Sequence, residues 1–240
     1  VPFEDICQWK SLGPINLGLG RFQEISCFHK PTGTLNVTDV IVGIDQKPPE
    51  IFDFDPTPLL FHSRERGDEL LLDTEEFRKK GWARLVLFAS FLKPGKLKIP
   101  SLKNIVKYSF KKGLRNKKSH FGIYPFLWDE DWELSLSEIM GESGPKIQIA
   151  PVIQKLIFPR SKTILCEWIK SVKGYDGLKY LISAHYSSPC DFTEKNCNEL
   201  IKNIDSEEWG VLNENNQFLS SFYEKLYKIG LIPENVNVIE

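Results

Sequence analysis

The run Thr34-Leu-Asn-Val-Thr-Asp-Val-Ile-Val-Gly43 limits what this chain can fold into more than any other feature. Its density of β-branched and aliphatic residues marks the strongest strand in the sequence, and Asp39 interrupts it. An unpaired carboxylate inside such a strand would be costly, because desolvation penalises a charge that has no compensating bond. Asp39 therefore needs a partner: a metal ion, an arginine or a helix N-terminus. A hydrogen-bonded structural aspartate is the plainer alternative.

The flanking sequence reads as alternating strands and helices. Phe22, Glu24, Ser26 and Phe28 alternate with Gln23, Ile25 and Cys27 as a short strand requires, between turns at Leu12-Gly13-Pro14, Gly18-Leu19-Gly20 and Thr32-Gly33. Pro48, Pro49, Pro56 and Pro58 make residues 44–72 an irregular excursion. Asp73 then stands as a helix cap with Glu76 at the capping-box position, and Phe77, Trp82, Leu85, Val86, Phe88, Ala89 and Leu92 carry the apolar period to Lys93-Pro94-Gly95. Further helices are expected over residues 101–113, 129–140 and 161–172, and strands over 146–150 and 178–183. Residues 193–230 predict two more helices, the last with Phe218, Phe222, Leu226 and Ile229 at three-to-four spacing. The fold class is α/β, with one domain over residues 1–190 and a helical C-terminal extension over residues 191–240.

With 240 residues, 41% hydrophobic and 26% charged, the chain has ordinary globular composition and enough length to bury a full core. Its five cysteines are dispersed and include no CxxC pair, which favours a reducing compartment over a disulfide framework or a zinc knuckle. No signal-peptide pattern opens the sequence, and the longest uncharged apolar run, residues 85–92, is too short to span a bilayer, so a cytoplasmic protein is expected. The net charge of -1 conceals a block: residues 77–128 hold fourteen Lys or Arg and no Asp or Glu. Tyr108, Phe110, Phe121 and Tyr124 interleave with these cations, yet they are dispersed and acidic blocks lie elsewhere, so nucleic acid is not the expected partner.

His185 directly follows the strand of residues 178–183, in Ile182-Ser-Ala-His-Tyr-Ser-Ser-Pro189, and α/β proteins place functional side chains at the C-terminal ends of strands. A loop histidine bonded to backbone is the alternative. His62 and His29 are further candidate metal ligands, with Asp53 and Asp55 close to His62 in sequence, whereas His120, set among lysines, reads as exposed. No HxH, HxxxH or HExxH occurs, and a catalytic zinc takes three protein ligands, so Asp39 and His185 alone fall short of a site. The absence of GxSxG, GxGxxG and Walker motifs disfavours acyl transfer on a nucleophile elbow and dinucleotide or P-loop nucleotide binding.

Taken together, the blocks Thr34 to Gly43, Asp55-Pro-Thr-Pro-Leu-Leu-Phe-His-Ser-Arg64, Arg78-Lys-Lys-Gly-Trp82, Phe121-Gly-Ile-Tyr-Pro-Phe126, Trp128 to Trp132, Ala150-Pro-Val-Ile-Gln154 and Leu181-Ile-Ser-Ala-His185 resemble a domain-of-unknown-function family of cyanobacteria and plastids related to the metallo-β-lactamase fold. The resemblance covers most of residues 10–190. It implies a partial αββα sandwich corresponding to the C-terminal part of the longer domain, and a cytoplasmic or plastid-stromal protein. In metallo-β-lactamase relatives a strand-end Asp bridges two metals and a late His completes one of them, the roles that Asp39 and His185 resemble. Zinc, iron or manganese would be the metal, and a metal-activated hydroxide the nucleophile. The histidine-rich motif of that superfamily is missing ahead of Asp39. The chain is therefore expected to be a catalytically degenerate binding or assembly factor, with a metal-dependent hydrolase completed by His29, His62, Asp53 or Asp55 as the alternative. An open sheet edge would call for cover by other elements or by a partner chain.

Overall fold

The computed structural model describes residues 3–18 and 20–233; Leu19 of the predicted turn and residues 234–240 of the expected extension lie outside them. The strands in chain order are β1 (Cys7–Asn16), β2 (Arg21–His29), β3 (Thr34–Asn36), β4 (Ile41–Ile44), β5 (Leu97–Lys98), β6 (Leu127–Trp128), β7 (Lys146–Ile149), β8 (Tyr180–Ile182) and β9 (Cys190–Asp191). The helices are α1 (Ile51–Phe54), α2 (Thr57–Ser63), α3 (Glu75–Phe91), α4 (Leu102–Ile105), α5 (Pro151–Leu156), α6 (Lys162–Lys173), α7 (Glu194–Asp205) and α8 (Gln217–Lys228). The fold is mixed α/β. One sheet runs in the order β1-β2-β3-β8-β9, with β3 and β8 parallel and the other pairs antiparallel, while β4 pairs with β7 and β5 with β6 in two separate antiparallel ladders.

Residues 34–43 are therefore two strands in different sheets rather than the single strand expected. The cause is Glu24, which the two-residue period of β2 turns inward with Ser26 and Phe28. Its buried carboxylate accepts from three successive backbone N–H groups, those of Thr38 (3.2 Å), Asp39 (2.9 Å) and Val40 (2.9 Å). Those donors are lost to any ladder, so the chain turns out of the first sheet and enters the second.

Residues 44–72 are also more regular than four prolines suggest. Pro58 occupies the first turn of α2, where a missing N–H costs nothing, and Asp55 accepts from the Thr57 N–H at 3.0 Å. Helix α3 is capped one residue later than expected: Thr74 Oγ1 accepts from the Phe77 N–H, while Asp73 pairs with Arg78 at 2.6 Å. Gly81 lets α3 approach α2 closely, since a Cβ there would stand 1.8 Å from the Leu59 carbonyl oxygen.

Two expected helices shrink. Over residues 101–113 only α4 is helical, because Leu102, Val106 and Phe110 find nothing to pack on and short helices depend on packing. Over residues 129–140 the chain forms 3-10 turns at Trp132–Glu138, with Trp132 buried against Trp128. Helix α5, unforeseen, starts at Pro151 directly after β7.

The core is continuous. Leu12, Phe28 and Leu35 of the large sheet, Val86 and Leu87 of α3, Leu165 and Ile169 of α6, and Leu200, Ile204 and Leu219 of α7 and α8 belong to one buried cluster. Helix α6 packs on β1 and α7, and α8 on α5, which ties the C-terminal helices to that core. On α8 the buried anchor is Leu219, whereas Phe218 and Phe222 stack on each other at the surface. No helix among the described residues is long and apolar enough to cross a membrane.

Candidate functional site

The parallel pairing of β3 with β8 builds the site. Asn36 lies opposite Ile182, so the residues three further along each chain, Asp39 and His185, emerge at the same end of two neighbouring strands. Ladder-like bonds continue past both strands, from Val37 N–H to Ile182 O (2.9 Å) and from Ala184 N–H to Thr38 O (3.2 Å). His185 Nε2 then donates to Asp39 Oδ1 at 2.8 Å, with the two side chains 62% and 41% exposed. This is a solvent-facing pair at the C-terminal edge of the parallel strands, where α/β sheets bind ligands.

Both loops are held from beneath. Glu24 fixes the Asp39 backbone. Burial pushes its pKa up, opposed by the three N–H bonds, and the nearby Asp39 charge adds to the rise. On the other loop, Ser183 Oγ donates to the His185 carbonyl (2.7 Å), and Ser188 Oγ donates to Ser183 O (2.9 Å) while accepting from Ser183 N–H (3.0 Å). Tyr186 follows His185 with a left-handed φ of 67°, a conformation an L-residue adopts at a cost. That backbone carries its half-buried ring beneath the pair, where the hydroxyl shares a 3.3 Å hydrogen bond with Ser90 and the ring meets Trp82 edge-on. Burial raises the Tyr186 pKa, with the Asp39 charge acting in the same direction.

Asp39, His185 and Tyr186 border a pocket of about 580 Å³. Its walls are largely apolar: Val42 from β4, Ile51 and Phe52 from α1, Trp82, Leu85 and Ala89 from α3, and Val152 and Ile153 from α5. Asp39 is the only carboxylate among the lining residues, and no Lys or Arg lines it. An apolar body with a few convergent polar groups at the rim is the usual make-up of a small-molecule site.

The other candidate ligands lie elsewhere, and neither His29 nor His62 lines this pocket. His29 ends β2, bonded through Nδ1 to Thr32 Oγ1 at 2.8 Å. His62 is buried in α2 between Phe61, Phe88 and Phe126, and burial, then the charges of Arg84 and Arg64, push its pKa down to about 4. Asp53 pairs with Arg78 at 3.0 Å, and Asp55 serves the start of α2. His120, expected to be exposed, is half-buried beside Phe61, and its Nδ1 accepts from Arg64 at 3.2 Å. Among the described residues there is no group of three or more His, Cys, Asp or Glu placed to hold a metal ion. Asp39 and His185 thus supply two donors, already bonded to each other, where a catalytic zinc takes three protein ligands.

Sequence reasoning missed Glu24, Trp82 and Tyr186 as parts of the site. The signal for Glu24 was its inward register on an alternating strand; Trp82 looked like ordinary helix core, and nothing local marks a left-handed Tyr186.

A profile of the family described as Domain of unknown function (DUF4336) matches residues 1–202. The chain belongs to this family. The DUF4336 match spans every element from β1 through β9 and most of α7, including both halves of the Asp39–His185 pair. No curated protein and no solved structure matches the chain.

Proposed function

We propose that this DUF4336 chain is a binding protein on a catalytically degenerate, metallo-β-lactamase-like scaffold, and that its ligand is a small molecule with an apolar body and a hydrogen-bond-donating, neutral or cationic end. The carrying observation is the placement of the Asp39–His185 pair on the rim of the apolar pocket. The walls receive the body by burial of apolar surface. At the rim, Asp39 Oδ2 is an acceptor not engaged by His185, and no lysine or arginine lines the pocket to attract an anion instead. The resemblance would make Asp39 and His185 the late ligands of a metallo-hydrolase plan, and a set of only two donors, already bonded to each other, supports reading that plan as degenerate here.

Two measurements test this. N-phenyl-1-naphthylamine, an apolar probe with a single N–H donor, is expected to bind at one site, quench Trp82 and lose its binding in Ala89→Trp, which fills the pocket. Binding that is absent, or indifferent to Ala89→Trp, overturns the proposed pocket. Elemental analysis of the purified protein tests the alternative: stoichiometric zinc, iron or manganese that disappears in Asp39→Ala establishes a metal site and sinks the degenerate reading in favour of a metal-dependent hydrolase.

A further inference from the structure

The basic block of residues 77–128 divides into two parts with different fates. Its first part is largely neutralised: Arg78 pairs with Asp73 and Asp53, Lys79 with Glu75, Lys80 and Arg84 with Glu65, Lys96 with Asp131 and Lys98 with Asp129, leaving Lys93 as its unpaired cation among the described residues. The second part is not. Lys103, Lys107, Lys112, Arg115 and Lys117 make no ion pair among the described residues, and Lys111 alone is tied down, to Asp68 at 2.6 Å.

These unpaired cations sit on one excursion. The segment leaves the fold at β5 and returns at β6, and those two strands pair with each other, so both its ends are anchored on one short ladder. No described residue from Ile99 to Phe121 is buried. Apolar side chains nevertheless stand among the cations: Leu102 is 80% exposed and Phe110 74%, with Ile99 and Val106 also in solvent. A soluble surface keeps its long cationic side chains and leaves few large apolar ones among them, so this mixture calls for a partner that accepts both.

We propose that the excursion between β5 and β6 is a membrane-surface contact, seating the chain on a bilayer that carries anionic lipid. Cations interleaved with exposed aliphatic and aromatic residues match an interface where headgroup charge lies above hydrocarbon. The alternative polyanion, single-stranded nucleic acid, is bound through aromatic faces on which bases stack. Here three of the four exposed apolar residues named are aliphatic, and Tyr108 already carries Lys107 and Lys111 over its ring, at 5.3 and 4.6 Å. The charge complementarity and the apolar side chains thus point to the same occupant. The contact is peripheral and requires no spanning helix.

Sedimentation of the full chain with phosphatidylcholine vesicles, with and without phosphatidylglycerol, tests the proposal. Binding is expected only with phosphatidylglycerol, and to weaken as salt is raised. The triple variant Lys107→Glu, Lys112→Glu, Arg115→Glu is expected to lose partitioning by about a hundredfold or more, since each basic residue near such a surface contributes roughly fivefold. Leu102→Ser with Phe110→Ser is expected to weaken it independently. All five positions are exposed, so unchanged thermal melts certify both variants as folded. No binding, equal binding to neutral vesicles, or binding indifferent to Leu102→Ser with Phe110→Ser overturns the proposal. Tight binding to poly(U) with no affinity for vesicles replaces it with nucleic-acid recognition.

Discussion

His185 Nε2 stands 2.8 Å from Asp39 Oδ1 because β3 and β8 run parallel in a register that opposes Asn36 to Ile182. The pair joins loops far apart in sequence, yet both side chains are well exposed, and exposed ion pairs contribute at most about 1 kcal/mol. The Asp39 backbone is held separately by Glu24. Asp39→Asn and His185→Ala are accordingly expected to shift the urea-unfolding free energy by no more than about 1 kcal/mol each. Probe binding at the pocket is expected to change more than stability does. A loss of several kcal/mol in either variant would make the pair a structural clasp and remove its functional reading.

Glu24 should behave in the opposite way. It is 3% exposed and its two oxygens satisfy three backbone donors, an acceptor load that a carboxylate can meet. Glutamine keeps one acceptor oxygen and turns an NH2 group toward N–H donors. Glu24→Gln is expected to destabilise the fold by about 1.5–3 kcal/mol, the range for hydrogen bonds to charged groups. The turn at residues 38–40 should loosen with it, seen as line broadening of the His185 imidazole protons in NMR spectra. A Glu24→Gln protein as stable as the parent, with an unchanged His185 signal, contradicts the role assigned to Glu24.

Gly81 tests the packing that positions the pocket wall. Helix α3 carries Trp82, Leu85 and Ala89 into the site, and its closeness to α2 depends on the missing Cβ, which would meet the backbone at Leu59 rather than a flexible side chain. Alanine has the better helix propensity by roughly 1 kcal/mol, but overpacking against a fixed carbonyl costs about 1–3 kcal/mol and is expected to win. Gly81→Ala should therefore lower the melting temperature and weaken probe binding together. A stabilised Gly81→Ala variant would show that α2 and α3 can separate freely.

Much of this arrangement was legible in residue order. The alternation of β2, the apolar period of α3, the strand ending before His185 and the two C-terminal helices follow from local pattern, and together they give the α/β class. Asp39 stood out as a carboxylate interrupting an apolar strand, and His185 as a polar residue directly after one. Their meeting was not legible, since it depends on the parallel pairing of strands more than 140 residues apart in sequence. The split of residues 34–43 was hidden for the same reason: its cause, Glu24, acts from another strand. Residues 101–113 show the reverse failure, where a clear helical period finds no surface to pack against and its apolar side chains remain in solvent.

His62 gives the fold a pH dependence of defined sign. Burial, then Arg84 and Arg64, hold its pKa at about 4, and its Nδ1 has no hydrogen-bond partner among the described residues. An unfolded chain returns the imidazole to about 6.5, so between these values the unfolded state binds more protons and stability falls as the pH falls. The contribution is fully present above about pH 6.5 and is lost through the window down to about pH 4, with a total of about 3 kcal/mol and about 2 kcal/mol of it gone between pH 7 and pH 5. His62→Leu keeps an apolar side chain of similar size among Phe61, Phe88 and Phe126 and removes the titration. Urea unfolding of both proteins at pH 7 and pH 5 is expected to show the parent losing about 2 kcal/mol more than His62→Leu over that interval. Parallel losses in the two proteins would mean that His62 accepts its proton in the folded state as readily as in the unfolded one, and that the aromatic cage around it opens.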